Sequence, residues 1–220
     1  MLKRIAHRFF PSIHPENSLS GIKFCAENNA WAIETDIQLT RDNVPVLMHD
    51  KLLDRTTNQK GFVKDYDYKA LDETCRLSNG EKVPTLYDLF DNLRDKRTRM
   101  YLELIDQRAL GATLDAIEKY GIEDRCIISS FHHSTLLEAK RQNPAQATMA
   151  LFECCPIDPL HLVNACKANQ AGIGFDSVCA HTINTLKAGG IEVYAWTVNN
   201  RSEIRLAEAL GLHGIFTDEV

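Results

Sequence analysis

The chain has 220 residues, of which 44% are hydrophobic and 25% are charged. This balance is typical of one soluble globular domain with a substantial core, and it excludes disordered, collagen-like and coiled-coil proteins. Lysine and arginine number 25 against 30 acidic residues, which gives a net charge of −5. A net acidic protein is a poor candidate for broad nucleic-acid binding, which requires a basic surface.

Seven cysteines form no Cys-x-x-Cys pair, which favours reduced thiols and a cytoplasmic protein. The N-terminal segment is basic but lacks the apolar run of a signal peptide. No stretch approaches the roughly 18 uncharged apolar residues that a membrane span requires. We therefore expect a cytoplasmic protein without a membrane span and without a nucleic-acid partner.

Eight short apolar runs alternate along the chain with segments of helical periodicity. One helical segment follows a Thr85-x-x-Asp88 capping signature, and another is closed by Gly121. Alternating strands and helices predict parallel strands joined by crossovers, and eight strands suit a closed α/β barrel of the TIM type, a (β/α)8 barrel. The predicted strands span residues 4–7, 31–38, 100–104, 126–129, 147–151, 172–176, 192–197 and 214–217.

One segment interrupts this alternation after the second predicted strand. Two β-rich arms flank the polar triplet at 41–43, which ends in an asparagine that tolerates the positive φ of a tight hairpin. The hairpin would return His49 to the C-terminal mouth of the barrel, and the polar segment 50–83 would cap that mouth. We therefore predict one domain over residues 1–220, with residues 37–83 as hairpin and capping insertion.

The chain stops at Val220, three residues after the last predicted strand. The final helix of the barrel is therefore expected to be missing, which would leave one flank bare. Such a flank could support a homo-oligomer if enough apolar area were exposed there.

Three acidic side chains are predicted to meet at the barrel mouth. Side chains alternate across a strand, so Glu34 and Asp36 point away from the apolar face of the second strand. The same alternation places Glu103 of the third strand inside the barrel. Converging carboxylates repel one another unless they are paired, and oxygen ligands predict a divalent cation, Mg²⁺ or Ca²⁺. The alternative is a set of salt bridges to Arg8 or to a base from another strand.

Two histidines border these acids. His7 ends the first predicted strand and His49 ends the hairpin, and two imidazoles can divide general acid and general base catalysis near neutral pH. A histidine in either place can also be structural. Arg8 would grip a phosphate through its planar guanidinium or form a surface ion pair. Trp196, on the inner face of the seventh strand, would line the pocket or fill the barrel.

Short motifs in a fixed order cover nearly the whole chain, from Ile5 to Asp218. In this order they resemble the glycerophosphodiester phosphodiesterase family, and the set is far more specific than any one motif. The motifs are His7-Arg8, Pro15-Glu16-Asn17-Ser18, Glu34-Thr35-Asp36, Thr40-Arg41-Asp42, Val46-Leu47-Met48-His49-Asp50, Leu53-Asp54-Arg55-Thr56-Thr57, Leu102-Glu103-Leu104, Ser130-Phe131, Trp196-Thr197-Val198-Asn199 and Gly214-Ile215-Phe216-Thr217-Asp218.

The resemblance implies a metal-dependent TIM-barrel hydrolase that splits a small-molecule glycerophosphodiester into glycerol 3-phosphate and an alcohol. Carried over motif by motif, it also implies three metal ligands, an acid/base pair, a phosphate contact and an aromatic residue beside the glycerol. These are, in that order, Glu34, Asp36 and Glu103; His7 and His49; Arg8; and Trp196.

Two departures from the family pattern concern the substrate. Phe9 stands where the family usually has a glycine after His-Arg, and a bulky residue there would narrow or reshape the phosphate site. Ile105 replaces the lysine of the usual Glu-x-Lys ending of the third strand. Because strand alternation points Ile105 inward, a positive charge near the phosphate is expected to be lost.

Three questions stay open at this point. The barrel could act on another phosphodiester or on a phospholipid headgroup, as the related phospholipase D-like toxins do, although those are secreted and disulfide-bonded. It could also bind a metal or a phosphorylated metabolite without turnover, although a binder has no need of paired histidines. The attacking group could be a hydroxyl of the substrate's own glycerol, which would give a cyclic phosphate, or water.

Overall fold

The computed structural model describes residues 2–220 and contains nine strands, eight of which close into a parallel barrel. The strands are β1 (Lys3–Ala6), β2 (Ala32–Leu39), β3 (Pro45–Leu47), β4 (Arg99–Leu104), β5 (Cys126–Ser130), β6 (Ala147–Phe152), β7 (Gln170–Gly174), β8 (Glu192–Trp196) and β9 (Gly214–Thr217). Around the ring the order is β1, β2, β4, β5, β6, β7, β8 and β9, and pairing of β9 with β1 closes it. The predicted TIM-type barrel is therefore confirmed.

Helices connect successive strands of the ring and cover its outside. Their apolar faces pack on the outward-facing strand residues in one large core. Local signals define two of their ends: Thr85 and Asp88 form a capping box before α3, and Gly121, with a φ of 62°, follows α4. The helices are α1 (Leu19–Glu27), α2 (Tyr68–Thr74), α3 (Leu86–Asn92), α4 (Leu110–Tyr120), α5 (His133–Gln142), α6 (Pro159–Ala165), α7 (Ala180–Ala188) and α8 (Arg201–Ala209).

A second, smaller core fills the inside of the barrel. It contains Ala32 of β2, Tyr101 of β4 and Tyr194 of β8, so the predicted alternation of these strands is confirmed. Bulky side chains close the interior, as in other barrels of this type. Polar groups therefore collect at the mouth, where the strands end.

Seven of the eight predicted strands differ from the observed ones by one or two residues at an end, and two of these differences have a clear structural cause. The sixth predicted strand, 172–176, is β7 at Gln170–Gly174, because the chain turns into a 3-10 helix at Phe175–Ser177. His7 lies just beyond β1 rather than in it, because a second 3-10 turn begins there, over His7–Phe9.

The predicted hairpin is formed by β2 and the antiparallel β3, with Asn43 at a φ of 64° in its turn. β3 returns the chain to the barrel mouth just before His49. The segment that follows contains α2 and a small hydrophobic cluster of its own, which includes Leu53 and Val63. The insertion therefore folds around its own core beside the mouth.

The flank between α8 and α1 carries a groove of about 720 Å³, lined in part by Phe10, Phe24 and Trp31. It lies where the sequence predicts an uncovered side of the barrel, and self-association through it stays a prediction. Among the described residues, no helix combines the length and the apolar character needed to cross a bilayer.

All seven cysteines are free in the structure. Two of them lie side by side on different loops of the mouth: Sγ of Cys155, after β6, is 3.1 Å from Sγ of Cys179, before α7. This pair has no signal in the sequence, because 23 residues of unrelated pattern separate its members.

Candidate active site

Three carboxylates meet inside the mouth. Glu34 and Asp36 project from β2 and Glu103 from β4, and an oxygen of each lies within 4.8 Å of the others. The cause is the strand register, since β2 and β4 are parallel and pair Asp36 with Glu103. Glu34 and Asp36 are 3% and 1% exposed. The structure thus brings together the three acids that the sequence predicted to converge.

Burial and mutual repulsion dominate the electrostatics of this cluster. Burial, followed by the charges of Asp36 and Glu103, raises the pKa of Glu34 well above its usual range. Burial and then Asp36 raise the pKa of Glu103. Within the described part of the chain, Oε1 of Glu34 and Oδ1 of Asp36 are buried without a hydrogen-bond partner. Such oxygens call for a cation, and three carboxylates form the donor set that Mg²⁺ and Ca²⁺ prefer.

Arg8 compensates part of this negative charge. Its backbone N–H donates to Oε2 of Glu34 at 3.0 Å, and its Nε lies 3.3 Å from Oδ2 of Asp36. Although burial alone would lower it, Asp36 and Glu34 raise the pKa of Arg8. The salt-bridge alternative is thus realised in part, but one guanidinium cannot balance three carboxylates.

An unusual backbone turn directs Arg8 toward the acids. Arg8, Phe9 and Phe10 have φ values of 45°, 65° and 62°, a left-handed region that costs non-glycine residues about 1–3 kcal/mol each. Phe9 is fully buried in the helix-facing core, and a Cβ added at Gly21 would lie 2.8 Å from its Cβ. The expectation that Phe9 narrows the phosphate site is therefore wrong, because its side chain packs in the large core, where the absent Cβ of Gly21 leaves room for it, and does not line the cavity. That Phe9 reshapes the site stays a prediction.

Asn17 holds Asp36 from the other side, a role that the sequence did not predict. Its Nδ2 donates to Oδ2 of Asp36 at 2.8 Å, and its Oδ1 accepts from the hydroxyl of Thr35 at 2.6 Å. The side chain is 2% exposed. Its place in the motif Pro15-Glu16-Asn17-Ser18 was the available signal, although loop residues lack the periodicity that reveals which way a side chain points.

Each of the two histidines is held by its own aspartate. Nδ1 of His7 donates to Asp218 at 2.6 Å, which turns its Nε2 toward Glu34 at 3.9 Å. Although burial opposes the change, the hydrogen bond from His7 lowers the pKa of Asp218. Nδ1 of His49 likewise donates to Asp50 at 2.7 Å. An aspartate at Nδ1 fixes the tautomer and leaves Nε2 for chemistry.

Arg55 connects the insertion to this network, and the sequence did not predict a role for this residue either. It donates to Asp50 at 2.6 Å through Nε and to both oxygens of Glu16 at 2.7 Å. The hydrogen bond from Arg55 lowers the pKa of Asp50 to about 2. Since Glu16 also pairs with Arg8 at 3.3 Å, one continuous chain of charges runs from His49 to the acids.

The far wall of the site is apolar. A cavity of about 60 Å³ separates the acids from Trp196, which packs edge to face on Phe131 with ring centroids 5.4 Å apart. Trp196 lies at the mouth, whereas Tyr194 fills the barrel below it. Ile105 lines a neighbouring cleft instead of this cavity, because β4 ends at Leu104 and the alternation stops there. Six of the seven predicted site residues line the cavity: His7, Arg8, Glu34, His49, Glu103 and Trp196.

A parallel barrel with buried acids, two oriented histidines and an arginine at the C-terminal ends of its strands defines an α/β-barrel enzyme. The model of the "Glycerophosphoryl diester phosphodiesterase family" matches residues 7–220, and the chain belongs to this family. It is thus a phosphoric diester hydrolase.

Two curated relatives are similar over almost the full length, and both are named glycerophosphodiester phosphodiesterase. One, from Caldanaerobacter subterraneus subsp. tengcongensis, is 32% identical over 98% of this chain and 93% of its own length. The other, from Bacillus altitudinis, is 31% identical over 99% of this chain and 95% of its own length.

Solved structures agree on the fold. An Oleispira antarctica phosphodiesterase, in complex with the product sn-glycerol-3-phosphate, has a TM-score of 0.92 at 23% identity and covers 98% of this chain and 92% of its own. A Parabacteroides distasonis glycerophosphodiester phosphodiesterase has a TM-score of 0.87 at 24% identity, over 99% of this chain and 92% of its own.

Proposed function

We propose that this enzyme hydrolyses glycerophosphodiesters to glycerol 3-phosphate and an alcohol, with the help of a divalent cation and two histidines. The observation that carries the proposal is the convergence of Glu34, Asp36 and Glu103 beside two aspartate-bound histidines. The names of the two relatives and the product in the Oleispira antarctica structure support the same substrate class.

The three acids are the proposed ligands of Mg²⁺ or Ca²⁺. Their buried, unpartnered oxygens support this assignment, and Asn17 would hold Asp36 in place as a ligand. When bound, the cation would supply positive charge for the phosphoryl oxygens. Arg8 would add its own charge to the same phosphate, since its guanidinium borders the cavity.

His7 and His49 are the proposed acid/base pair. One imidazole would remove a proton from the attacking oxygen, and the other would protonate the departing alcohol. Asp218 and Asp50 would stabilise the positive charge that forms on each ring and keep each Nε2 directed at the substrate. The attacking oxygen is either a hydroxyl of the glycerol, favoured by proximity, or water.

Trp196 and Phe131 are proposed to pack against the glycerol carbons. Both rings line the cavity opposite the acids. A substrate with its phosphate near Arg8 would therefore place a short carbon chain against these rings. We further propose that residues 1–220 act as one domain in which residues 37–83 close one side of the mouth.

The test is release of glycerol 3-phosphate from glycerophosphocholine and glycerophosphoethanolamine with Mg²⁺, with Ca²⁺ and with EDTA. We expect release that depends on the cation and falls about 10²- to 10⁴-fold in His49→Ala, the usual contribution of a general acid or base. His161→Ala, an exposed histidine on α6, is the matched control and should keep wild-type activity. Cation binding without turnover of any phosphodiester would support a non-catalytic barrel instead.

A further inference from the structure

A second cleft, of about 490 Å³, opens beside the cavity that contains the acids. It lies between the ends of β2 and β4 and the insertion. Gln38, Lys51 and Ile105 line it, and each follows by two positions a residue of the site: Asp36, His49 and Glu103. Nε2 of Gln38 donates to the backbone oxygen of His49 at 3.1 Å. The cleft is therefore an outward continuation of the site.

The cleft and Trp196 lie on opposite sides of the phosphate position. In the ring of eight strands, β4 and β8 are four places apart in either direction, so they face each other across the mouth. Trp196 ends β8, whereas Ile105 follows β4. A phosphodiester has one organic group on each side of its phosphorus. A substrate with its glycerol against Trp196 would therefore extend its alcohol into the cleft.

The charge of the cleft is opposite to that of the whole chain. Lys51, Lys64 and Arg108 line it together with a single carboxylate, Asp106, which pairs with Arg108 at 2.5 Å. Among residues 2–220, neither lysine has a carboxylate within 4.0 Å, in contrast to the lysines that form ion pairs elsewhere on the surface. Three cationic side chains and one carboxylate give the cleft a net charge of +2, although the whole chain has a net charge of −5.

Apolar surface accompanies this charge. Phe62 is 43% exposed in the cleft wall, and Nζ of Lys64 lies 5.3 Å from the centre of its ring. Ile105 contributes a second apolar side chain. A ligand with a short carbon skeleton and a negative charge matches both features, whereas a cationic or neutral alcohol would leave the two lysines without a partner.

We propose that this cationic cleft binds the alcohol part of the substrate and selects glycerophosphodiesters whose alcohol carries a phosphate of its own. Lys51 and Lys64 would contact that second phosphate, while Phe62 and Ile105 would contact its carbon skeleton. The proposal rests on the proposed function, because it assumes that the diester phosphate lies at the acids.

The test compares two substrates that differ in one group, glycerophosphoinositol and glycerophosphoinositol 4-phosphate. We expect wild-type kcat/KM to be about tenfold higher for the phosphorylated alcohol, and this preference to decline with salt because exposed charges are screened. The double variant Lys51→Gln/Lys64→Gln should lose the preference, so that the ratio of the two kcat/KM values falls to about one. Lys23→Gln/Lys119→Gln removes the same charge from exposed positions of the outer helices and should keep the preference.

Equal kcat/KM for the two substrates in the wild type would overturn the inference, and so would a preference that survives in the Lys51→Gln/Lys64→Gln variant. Titration calorimetry with inositol 1,4-bisphosphate adds a measurement that does not depend on turnover. Binding should weaken about tenfold in this variant, and absence of binding to the wild type would also reject the cleft. Failure of the proposed function looks different, since no substrate would then release glycerol 3-phosphate under any metal condition.

Discussion

The two halves of the barrel mouth are built in opposite ways. The half at the ends of β1, β2 and β4 contains the three acids and a chain of ion pairs from Arg8 through Glu16 and Arg55 to Asp50. The half at the ends of β5 to β8 presents aromatic rings and thiols, and Nε1 of Trp196 has no hydrogen-bond partner among the described residues. The first half holds charged groups in place by ion pairs, whereas the second half places aromatic rings against the cavity.

This difference indicates that the half with the acids needs other groups to hold its side chains in position, whereas the aromatic half does not. Buried like charges separate unless other groups hold them, so Asp36 requires both Asn17 and Arg8 at close distance. An apolar wall requires a complementary shape rather than hydrogen bonds. The single edge-to-face contact between Phe131 and Trp196 is enough to hold the two rings in place. Substitutions in the charged half should therefore affect turnover most.

The largest effect is expected for Glu34→Gln, which keeps the shape of the side chain but removes its charge. Turnover should fall about 10³-fold or more, because loss of a cation's contribution removes several kcal/mol of transition-state stabilisation. Titration calorimetry with Mg²⁺ and Ca²⁺ should show a parallel loss of affinity, whereas Asp115→Asn on the exposed face of α4 should change neither quantity. Unchanged cation affinity would reject Glu34 as a ligand.

The same variant should make the metal-free protein more stable. Burial, with the neighbouring acids, raises the pKa of Glu34 in the folded state. The folded protein therefore binds more protons than the unfolded chain, and its stability falls as the pH rises from the usual carboxylate range toward neutrality. Glu34→Gln removes this penalty, so thermal unfolding in EDTA at neutral pH should occur about 2–4 °C higher for each kcal/mol relieved. A lower unfolding temperature would mean that the acids are not in conflict.

An intermediate effect is expected for Asp218→Asn. The amide cannot stabilise a charged His7 and can favour the wrong tautomer, so kcat should fall about 10²-fold while the cation affinity is retained. The pH profile of kcat should shift with it, which a merely structural role would not cause. Unchanged kcat and an unchanged pH profile would reject Asp218 as the residue that positions His7.

The sequence predicted the parts of this site that follow strand periodicity. Glu34 and Asp36 alternate with apolar neighbours on β2, and parallel pairing brings Glu103 beside them. The barrel followed from the count of alternating elements for the same reason. Asp50 and Arg55 were not predicted as partners, because both lie in loops whose course depends on the insertion's own core and not on a local repeat.

Local alternation also fails where the backbone leaves the strand. Ile105 follows a strand that has ended, so it does not occupy the inward position that alternation assigned. Phe9 lies in a left-handed turn and enters the core, away from the phosphate site beside which the family resemblance placed it. Cys155 and Cys179 meet only because two βα loops of the barrel are neighbours. Contacts of that kind depend on which strands are neighbours in the barrel. This cannot be inferred from any one segment of the sequence.

The smallest effect on turnover is expected from oxidation of the thiol pair. Hydrogen peroxide would take two electrons and two protons from Cys155 and Cys179, forming one disulfide and two molecules of water. Hydrogen bonds from the side chain and backbone of Thr182 lower the pKa of Cys179 to about 7, so the reaction should accelerate between about pH 6 and pH 8, where the reactive thiolate forms. Peptide mass spectrometry should find the Cys155–Cys179 link in the wild type and in Cys154→Ser, but not in Cys155→Ser.

Turnover of the oxidised protein should stay within about twofold of the reduced protein, since this half of the mouth holds none of the acids and exposed contacts contribute little. The crosslink joins the loops after β6 and β7, and a depression of about 540 Å³ between them also includes Trp196. A change confined to KM would mean that the loops adjust the aromatic wall alone. A loss of kcat beyond tenfold, absent in Cys155→Ser, would instead show that the two halves are mechanically coupled, and the division between a fixed charged half and an independent apolar half would have to be abandoned.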